Sequence, residues 1–395
     1  FIQTTAMMGL ILASMFVVGL RTTLEADDFL AWGWRLPFLF SIVLLLVALW
    51  IRLQLNESPV FQRMKSHGQT SKAPLTEAFG QWKNLKIVLI ALFGAVAGQA
   101  VIGFSGHLYP LFFLEKIAKV DGATANFLVA TALTITIPLY VFWGWLSDKI
   151  GRKPIMMSAC VIAVFAYFPL YNALVGAANP EMAAAIERSP VTVVAHGSEC
   201  SFQFDPIGSN SFDETSCDIV KSYLAKSGVN YNNVEAPEGS IASVQIGDRT
   251  IVAPNPAGLT DEATVATIAA FGVSVERELE AAGYPTSADP EQINRFRVLL
   301  ILCALGTLGT MVYGPLAALL VELFPARIRY SSLSLPYHIG NGWIGGFMPT
   351  VAFAMVAATG NIYQGLWYAI IIAGITAVVG ILFLPETYKR DIEAD

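Results

Sequence analysis

Two histidines, His107 and His338, are the ionisable side chains inside the long apolar stretches of this 395-residue chain. A charged side chain costs roughly 2.5–3.5 kcal/mol at the centre of a hydrocarbon layer, so an ionisable group kept there points first to a solute contact or a proton carrier. His107 follows Gly94, Gly98, Gly103 and Gly106, which let a helix flex or approach its neighbours closely. Two readings of it stay open: a contact to substrate or proton, and a packed polar group. His338 sits beside Pro336, Gly340, Asn341 and Gly342, the pattern of a broken helical segment, readable as a gating hinge or as a packing feature. Gln99, Asn126, Tyr140, Tyr313, Tyr337, Asn341 and Trp343 can line a polar cavity between helices, and each alone also fits an interhelical hydrogen bond or an interfacial anchor. Arg35, at the mouth of its span, can meet an anion or snorkel to the interface. Aspartate and glutamate are missing from the apolar stretches, so that if coupling uses a carboxylate proton carrier, the expectation is that it lies in helices absent from this chain.

A second constellation is the polar turn GWLSDKIGRKP at 144–154. Gly144 allows close helix approach, Asp148 can face the positive N-terminus of a neighbouring helix, Gly151 turns the backbone, and Arg152, followed by Lys153, can pair with a carboxylate. The plainer alternative is a topogenic turn whose cations fix orientation.

The elements that must position these residues follow from composition. At 55% hydrophobic and 14% charged, the chain has about half the charge density of a soluble domain, which excludes a water-soluble globule. Eight stretches, 1–20, 34–54, 87–114, 122–146, 154–176, 297–321, 330–358 and 361–384, are long and apolar enough to cross a bilayer as helices. Eight crossings place both ends on one side. The loops at 51–86, 147–154 and 322–329 and the tail hold 13 Lys and Arg, against three (Arg21, Lys116, Lys119) in the alternate short loops, so the positive-inside bias makes both ends cytoplasmic. Phe1 opens directly on an apolar span with no basic leader, which reads as a chain lacking its N-terminal part.

Residues 176–294 carry 17 acids and 5 bases, whereas the rest of the chain is net positive. This segment lies outside on the same topology, and it is punctuated like a folded α/β lobe. Val191 to Ala195 reads as a strand, and Ile241–Ile246 and Arg249–Ala253 flank the turn Gly247-Asp248. Thr260 can cap a helix running to about Ala282. Its two cysteines, Cys200 and Cys217, are expected to form a disulfide in an oxidising periplasm. LNESPVF at 55–61 and LPETYKR at 384–390 form an internal repeat whose spacing, once the insertion is removed, matches six helices of about 35 residues each. The division is therefore 1–54, the last two helices of an N-terminal bundle; 55–86, a linker; 87–176, three helices; 177–296, the outer lobe; 297–385, three helices; and 386–395, a tail.

GWLSDKIGRKP resembles the signature loop of the major facilitator superfamily. WGWRLPF (32–38), LNESPVF, GQAVIGFSGHLYPLFFL (98–114) and ELFPARIRYSSLSLPYHIGNGWIGG (322–346) are similar to its metabolite:proton symporter branch. The resemblance implies an all-α membrane bundle of twelve helices in two halves working by alternating access, with this chain keeping helices five to twelve and carrying the small extracytoplasmic α/β insertion. It also implies that Gly144, Asp148, Gly151, Arg152 and Lys153 form a cytoplasmic latch that stabilises the outward-facing state. The family pattern has glutamine where this chain has His107 and a bulkier aromatic where it has Gly103. Branch members move organic acids, betaines or amino acids with protons across the bacterial inner membrane.

The expected function is secondary active transport, with the lipid bilayer, a small polar metabolite and protons as partners. The alternatives are a uniporter or exporter on the same scaffold, or a membrane-anchored receptor whose lobe binds ligand. The proton gradient would be the energy source. With no GxxxxGK[ST] loop, no GxSxG and no CxxC knuckle, the expectation is no cofactor, no metal and no enzymatic centre. Without a clustered basic surface, no nucleic-acid partner is expected, and no obligate protein partner is inferred.

Overall fold

A computed structural model describes residues 2–55, 57, 59–68, 71–205, 207, 209–258 and 260–390. Phe1, Asn56 and Ser58 of the first repeat motif and residues 391–395 of the tail lie outside the described residues. Among the described residues, eight helical segments are long and apolar enough to cross a membrane. They are α1 (Ile2–Thr23), α2 (Leu36–Gln54), α3 (Trp82–His107), which α4 (Tyr109–Lys116) extends, α5 (Gly122–Ile150), α6 (Arg152–Ala178), and after the lobe α10 (Arg295–Leu323), α11 (Arg329–Thr359) and α12 (Leu366–Phe383). The stretch 87–114 is thus not one straight rod. It breaks at Leu108, where Pro110 in the first turn of α4 cannot continue the preceding helix.

Helices α3 and α12, α5 and α10, and α6 and α10 pack most extensively, and small residues bring their backbones together. A Cβ on Gly380 would fall 2.6 Å from the carbonyl of Gly94, and one on Gly106 2.6 Å from that of Leu305. Gly94 and Gly98 therefore form a packing stripe, against Gly380 and Thr376. Gly342 and Gly346 do not: Gly342 meets nothing, and Gly346 folds back onto Gly342 within its own helix. Helix α2 buries no residue and exposes apolar side chains on every face, so its surroundings are hydrocarbon or another apolar surface.

The lobe opens with α7 (Pro180–Arg188) and holds a four-stranded sheet of order β2-β1-β3-β4. Strand β1 (Val191–Ala195) pairs in parallel with β2 (Tyr231–Glu235) through the crossover helix α8 (Ser216–Lys226), and antiparallel with β3 (Ser243–Ile246). Strand β4 (Arg249–Val252) closes the hairpin across Gly247, whose φ of +57° suits glycine. Helix α9 (Asp261–Ala281) starts at Thr260, whose hydroxyl accepts the amide of Ala263 at 3.3 Å. Cys200 and Cys217 are disulfide-bonded.

The lobe sits on one end of the helical body through backbone groups. Tyr231 N–H donates to Gly360 O at 3.0 Å and its hydroxyl to Ala357 O at 3.1 Å, Asn233 reaches Thr359 O at 3.1 Å, and Asn230 accepts the amide of Ile362 at 3.1 Å. Ala288 N–H donates to Lys119 O and Asn294 N–H to Ala177 O, both at 2.9 Å.

Candidate functional site

Helices α3 and α11 each contain a widened turn with i to i+5 geometry, Leu92–Val96 and Ile339–Gly345. Such a turn inserts an extra residue into the helical register and re-aims the side chains that follow. The two turns meet where a Cβ on Gly340 would lie 2.5 Å from Val96 Cγ1. Next to this contact, Gln99 of α3 and Asn341 of α11 exchange amide hydrogen bonds: Gln99 Nε2 donates to Asn341 Oδ1 at 3.0 Å, and Asn341 Nδ2 to Gln99 Oε1 at 3.3 Å. Tyr313 of α10 adds its hydroxyl to Asn341 Oδ1 at 3.1 Å. Asn341 Nδ2 also reaches the carbonyl of Tyr337 at 3.1 Å, the bond that its own helix makes available.

About two helical turns further along α3, His107 Nε2 lies 3.3 Å from the hydroxyl of Tyr140 on α5. The rings of His107, Tyr140 and Tyr313 form a triangle with centroids 6.3, 6.4 and 6.4 Å apart. Glycines make room for them. A Cβ on Gly309 would stand 2.4 Å from His107 Cε1, and one on Gly103 2.2 Å from Tyr313 Cε2. Gly103, where the family pattern carries a larger residue, is therefore the space into which Tyr313 leans. Gln99, His107 and Tyr140 are all buried. Four helices thus contribute one polar cluster of amides, phenols and an imidazole, able to present both donors and acceptors to a small polar solute and lying deep within apolar spans.

Five of the eight candidate pathway residues, Gln99, His107, Tyr140, Tyr313 and Asn341, meet here by their side chains, and Tyr337 adds its backbone carbonyl. Two do not join. Asn126 borders a small cavity of about 30 Å³ beside His107, but its amide is committed to Glu115 Oε1 at 3.1 Å and Gly122 O at 2.7 Å. His338 is exposed and stacks edge-on against Tyr337. Glu115 was invisible as a partner because the apolar stretch ends one residue before it. The signal that could have found it was Asn126, a polar residue in the first turns of α5 that needs an acceptor.

The opposite end of the body holds the turn at 144–154. Arg152 is buried and pairs with Asp148 one turn earlier on α5, with Glu322 Oε1 of α10 at 3.0 Å, and with Ser147 Oγ at 2.7 Å. Asp148 does not face a helix N-terminus. That position belongs to Glu386, beyond α12, whose carboxylate accepts the amides of Arg152 at 2.9 Å and Lys153 at 3.1 Å, because the first amides of α6 have no intrahelical partner. Lys153 Nζ in turn donates to the carbonyls of Ile381 and Leu384 at the end of α12, at 2.8 and 2.9 Å. Thr387 links the two acids by donating to Glu322 Oε2 at 2.6 Å. Gly151 has φ +105°, and a Cβ there would lie 2.4 Å from Glu386, so the turn admits only glycine without rearrangement. Gly144 meets Gly314 of α10 at a close crossing. Glu322, Glu386 and Thr387 were not singled out beforehand, although the LPETYKR repeat contains two of them.

Residues 1–186 match the model of the Major Facilitator Superfamily. The alpha-ketoglutarate permease of Escherichia coli is 29% identical over 49% of this chain and 44% of its own length. The shikimate transporter of the same organism is 30% identical over 42% of this chain and 38% of its own length. A putative proline/betaine transporter of Staphylococcus haemolyticus is 30% identical over 38% of this chain and 31% of its own length. The chain therefore spans less than half the length of these curated relatives. No solved structure matches it. Residues 1–186, just under half of the chain, are therefore similar to the major facilitator superfamily, and the relatives that the chain resembles are named as metabolite transporters.

Proposed function

We propose that this protein is a secondary active transporter, not an enzyme, and that it moves a small polar metabolite together with protons across the bacterial inner membrane by alternating access. The observation that carries this reading is the buried cluster of Gln99, His107, Tyr140, Tyr313 and Asn341, built from four helices inside apolar spans. Side chains that can both donate and accept are costly there unless satisfied, and a solute that satisfies them is one way to do so. The printed names of the relatives, an α-ketoglutarate permease, a shikimate transporter and proline/betaine transporters, point to organic acids, betaines and amino acids as the substrate class. In this reading the latch end faces the cytoplasm, as the positive-inside bias requires, and the lobe is periplasmic. His107 and Tyr140 contact the substrate or its proton, and the Arg152, Glu322 and Glu386 contacts close the cytoplasmic side.

Uptake of radiolabelled α-ketoglutarate, shikimate, proline and betaine into cells expressing the protein tests this, with the external pH recorded. Accumulation of one of them with external alkalinisation is expected. Accumulation without alkalinisation would leave a uniporter, and no uptake of any metabolite by protein shown to be in the membrane would sink the transport reading. In the same assay His107→Gln should change affinity or pH dependence, and unchanged values would remove His107 from the pathway.

A further inference from the structure

A cavity of about 620 Å³ lies at the seam between the lobe and the helical body. Its floor is apolar, formed by Phe112 and Ile117 of the α4 region and by Phe353, Ala354 and Val356 of α11. Its roof is the lobe, including the C-terminal turn of α8 and the segment around Phe212. Two cations line it from opposite sides: Lys116 at the end of α4 and Lys226 at the end of α8. Both are exposed, and neither ammonium has a hydrogen-bond or ion-pair partner among the described residues. A third lysine, Lys119, stands beside them and donates to Ser227 O at 2.5 Å. Its ammonium is held below the usual lysine range, first by burial and then by the charge of Lys116.

This concentration of positive charge runs against its surroundings, because residues 176–294 are strongly acidic. One carboxylate, Asp205, also borders the cavity, and both of its oxygens accept backbone amides, from Ile207 at 3.3 Å and Asn210 at 2.7 Å. The seam itself is tightly closed next to the lysines. Gly228, at φ +64°, sits so near that a Cβ would lie 2.4 Å from Lys116 O, which fixes the distance between the two lysine-bearing helix ends. Two lysines that line a cavity of small-molecule size with an apolar floor offer an anion both a charged and an apolar contact.

We propose that the seam cavity binds an organic anion with an apolar body, its charged group held between Lys116 and Lys226 and its hydrocarbon part on Phe112, Phe353 and Val356. The site is separate from the His107 cluster and does not require transport. Two sources can supply this chemistry, a soluble carboxylate and the headgroup region of an anionic lipid, and one experiment separates them. The full chain is placed in phosphatidylcholine nanodiscs, and lysine acylation under limiting reagent is followed site by site by mass spectrometry, with benzoate and benzylamine as probes of equal shape and opposite charge.

Benzoate at twice its Kd should slow acylation of Lys116 and Lys226 by about threefold, with Lys221 unaffected and benzylamine without effect. Slowing of the same two lysines when phosphatidylglycerol is added to the discs, without benzoate, also supports the site and names lipid as its source. Equal slowing by benzylamine, or no slowing by benzoate or by phosphatidylglycerol, overturns the proposal. The variant Lys226→Glu changes an exposed residue, so it should keep the thermal midpoint. It should lose benzoate protection of Lys116 and gain protection by benzylamine. Undiminished benzoate protection in that variant also overturns it.

Discussion

The two ends of the helical body are held together by different physics. At the latch end the contacts between α5, α6, α10 and the segment after α12 run through charge: Arg152 against Asp148 and Glu322, Glu386 on the first amides of α6, Lys153 on the last carbonyls of α12. At the lobe end, the corresponding contacts are mostly neutral. Tyr231, Asn230 and Asn233 bond the turn at 357–362, and Ala288 and Asn294 bond the backbone at Lys119 and Ala177. A charged network is directional and strong when complete, and it becomes costly when one member is lost. A neutral backbone seam distributes its hold over many weak bonds, each contributing about 1 kcal/mol. The first kind of contact can be broken by the loss of a single member, and the second cannot.

The sharpest way to break this comparison is Arg152→Ala. The arginine is buried and Glu322 nearly so, and its removal leaves Glu322 and Asp148 without their cation. The loss should be about 3–5 kcal/mol, the range for stripping one partner from a buried pair. Thermal unfolding of the full chain in detergent should show a large drop in midpoint, part of which returns in Arg152→Ala combined with Glu322→Gln. A change of less than about 1 kcal/mol would make this pair no stronger than a surface ion pair, and the distinction between the two ends would fail.

A smaller effect is expected from Gly360→Ala at the other end. Gly360 has φ +80°, and a Cβ there would lie 2.5 Å from the ring of Tyr231. The left-handed backbone alone costs about 1–2 kcal/mol for an L-residue, and the contact with Tyr231 adds to it. Limited proteolysis should cut the lobe faster in this variant while the latch end stays protected. Equal protection of the lobe would mean that the neutral seam does not depend on this turn.

What the sequence revealed divides along the same line. Charges are rare in this chain, so Arg152, Lys153 and Asp148 stood out against an apolar background, and the eight spans followed from the cost of exposing backbone to lipid. Their partners did not stand out. Glu322 lies 170 residues from Arg152 and Glu386 234 residues away, separations that only the packed topology closes. His107 was marked by its type, but its neighbour Tyr140 is one of several tyrosines in spans, and the widened turns that aim Gln99 and Asn341 at each other leave no periodic trace. In the lobe, β1 and the hairpin alternate or punctuate clearly. Strand β2 reads YNNVE with only Tyr231 buried, so no apolar period announces it, and its place is set by pairing with β1.

Between the two ends, Asn341→Ala asks which kind of bonding the central cluster uses. The variant removes both amide bonds between Asn341 and the fully buried Gln99, and the acceptor of the Tyr313 hydroxyl on Asn341. A cost of about 1–3 kcal/mol is expected for the lost bonds, below that of Arg152→Ala, and the same variant should weaken substrate uptake. A thermal midpoint lowered as far as in Arg152→Ala would place the cluster with the charged latch in energetic character.

The smallest effect concerns an exposed charge at the lobe end, where the contacts between lobe and body are mostly neutral. Asp121 caps α5 and accepts the amide of Thr124 at 2.9 Å, and bonds from the Thr124 side chain and amide hold its carboxyl below the usual aspartate range. A carboxylate whose folded value is depressed adds stability that is complete above its unfolded value, near 3.8, and that disappears as pH falls through the folded value. Asparagine caps a helix about as well as aspartate but does not titrate, so Asp121→Asn should match the parent at neutral pH to within a few tenths of a kcal/mol. Below pH 4 the parent should lose stability relative to the variant, by a margin kept small because Asp121 is exposed and screened. Parallel midpoints from neutral to acid pH would show that the cap contributes through its shape alone, and the lobe end would then be neutral at this point as well.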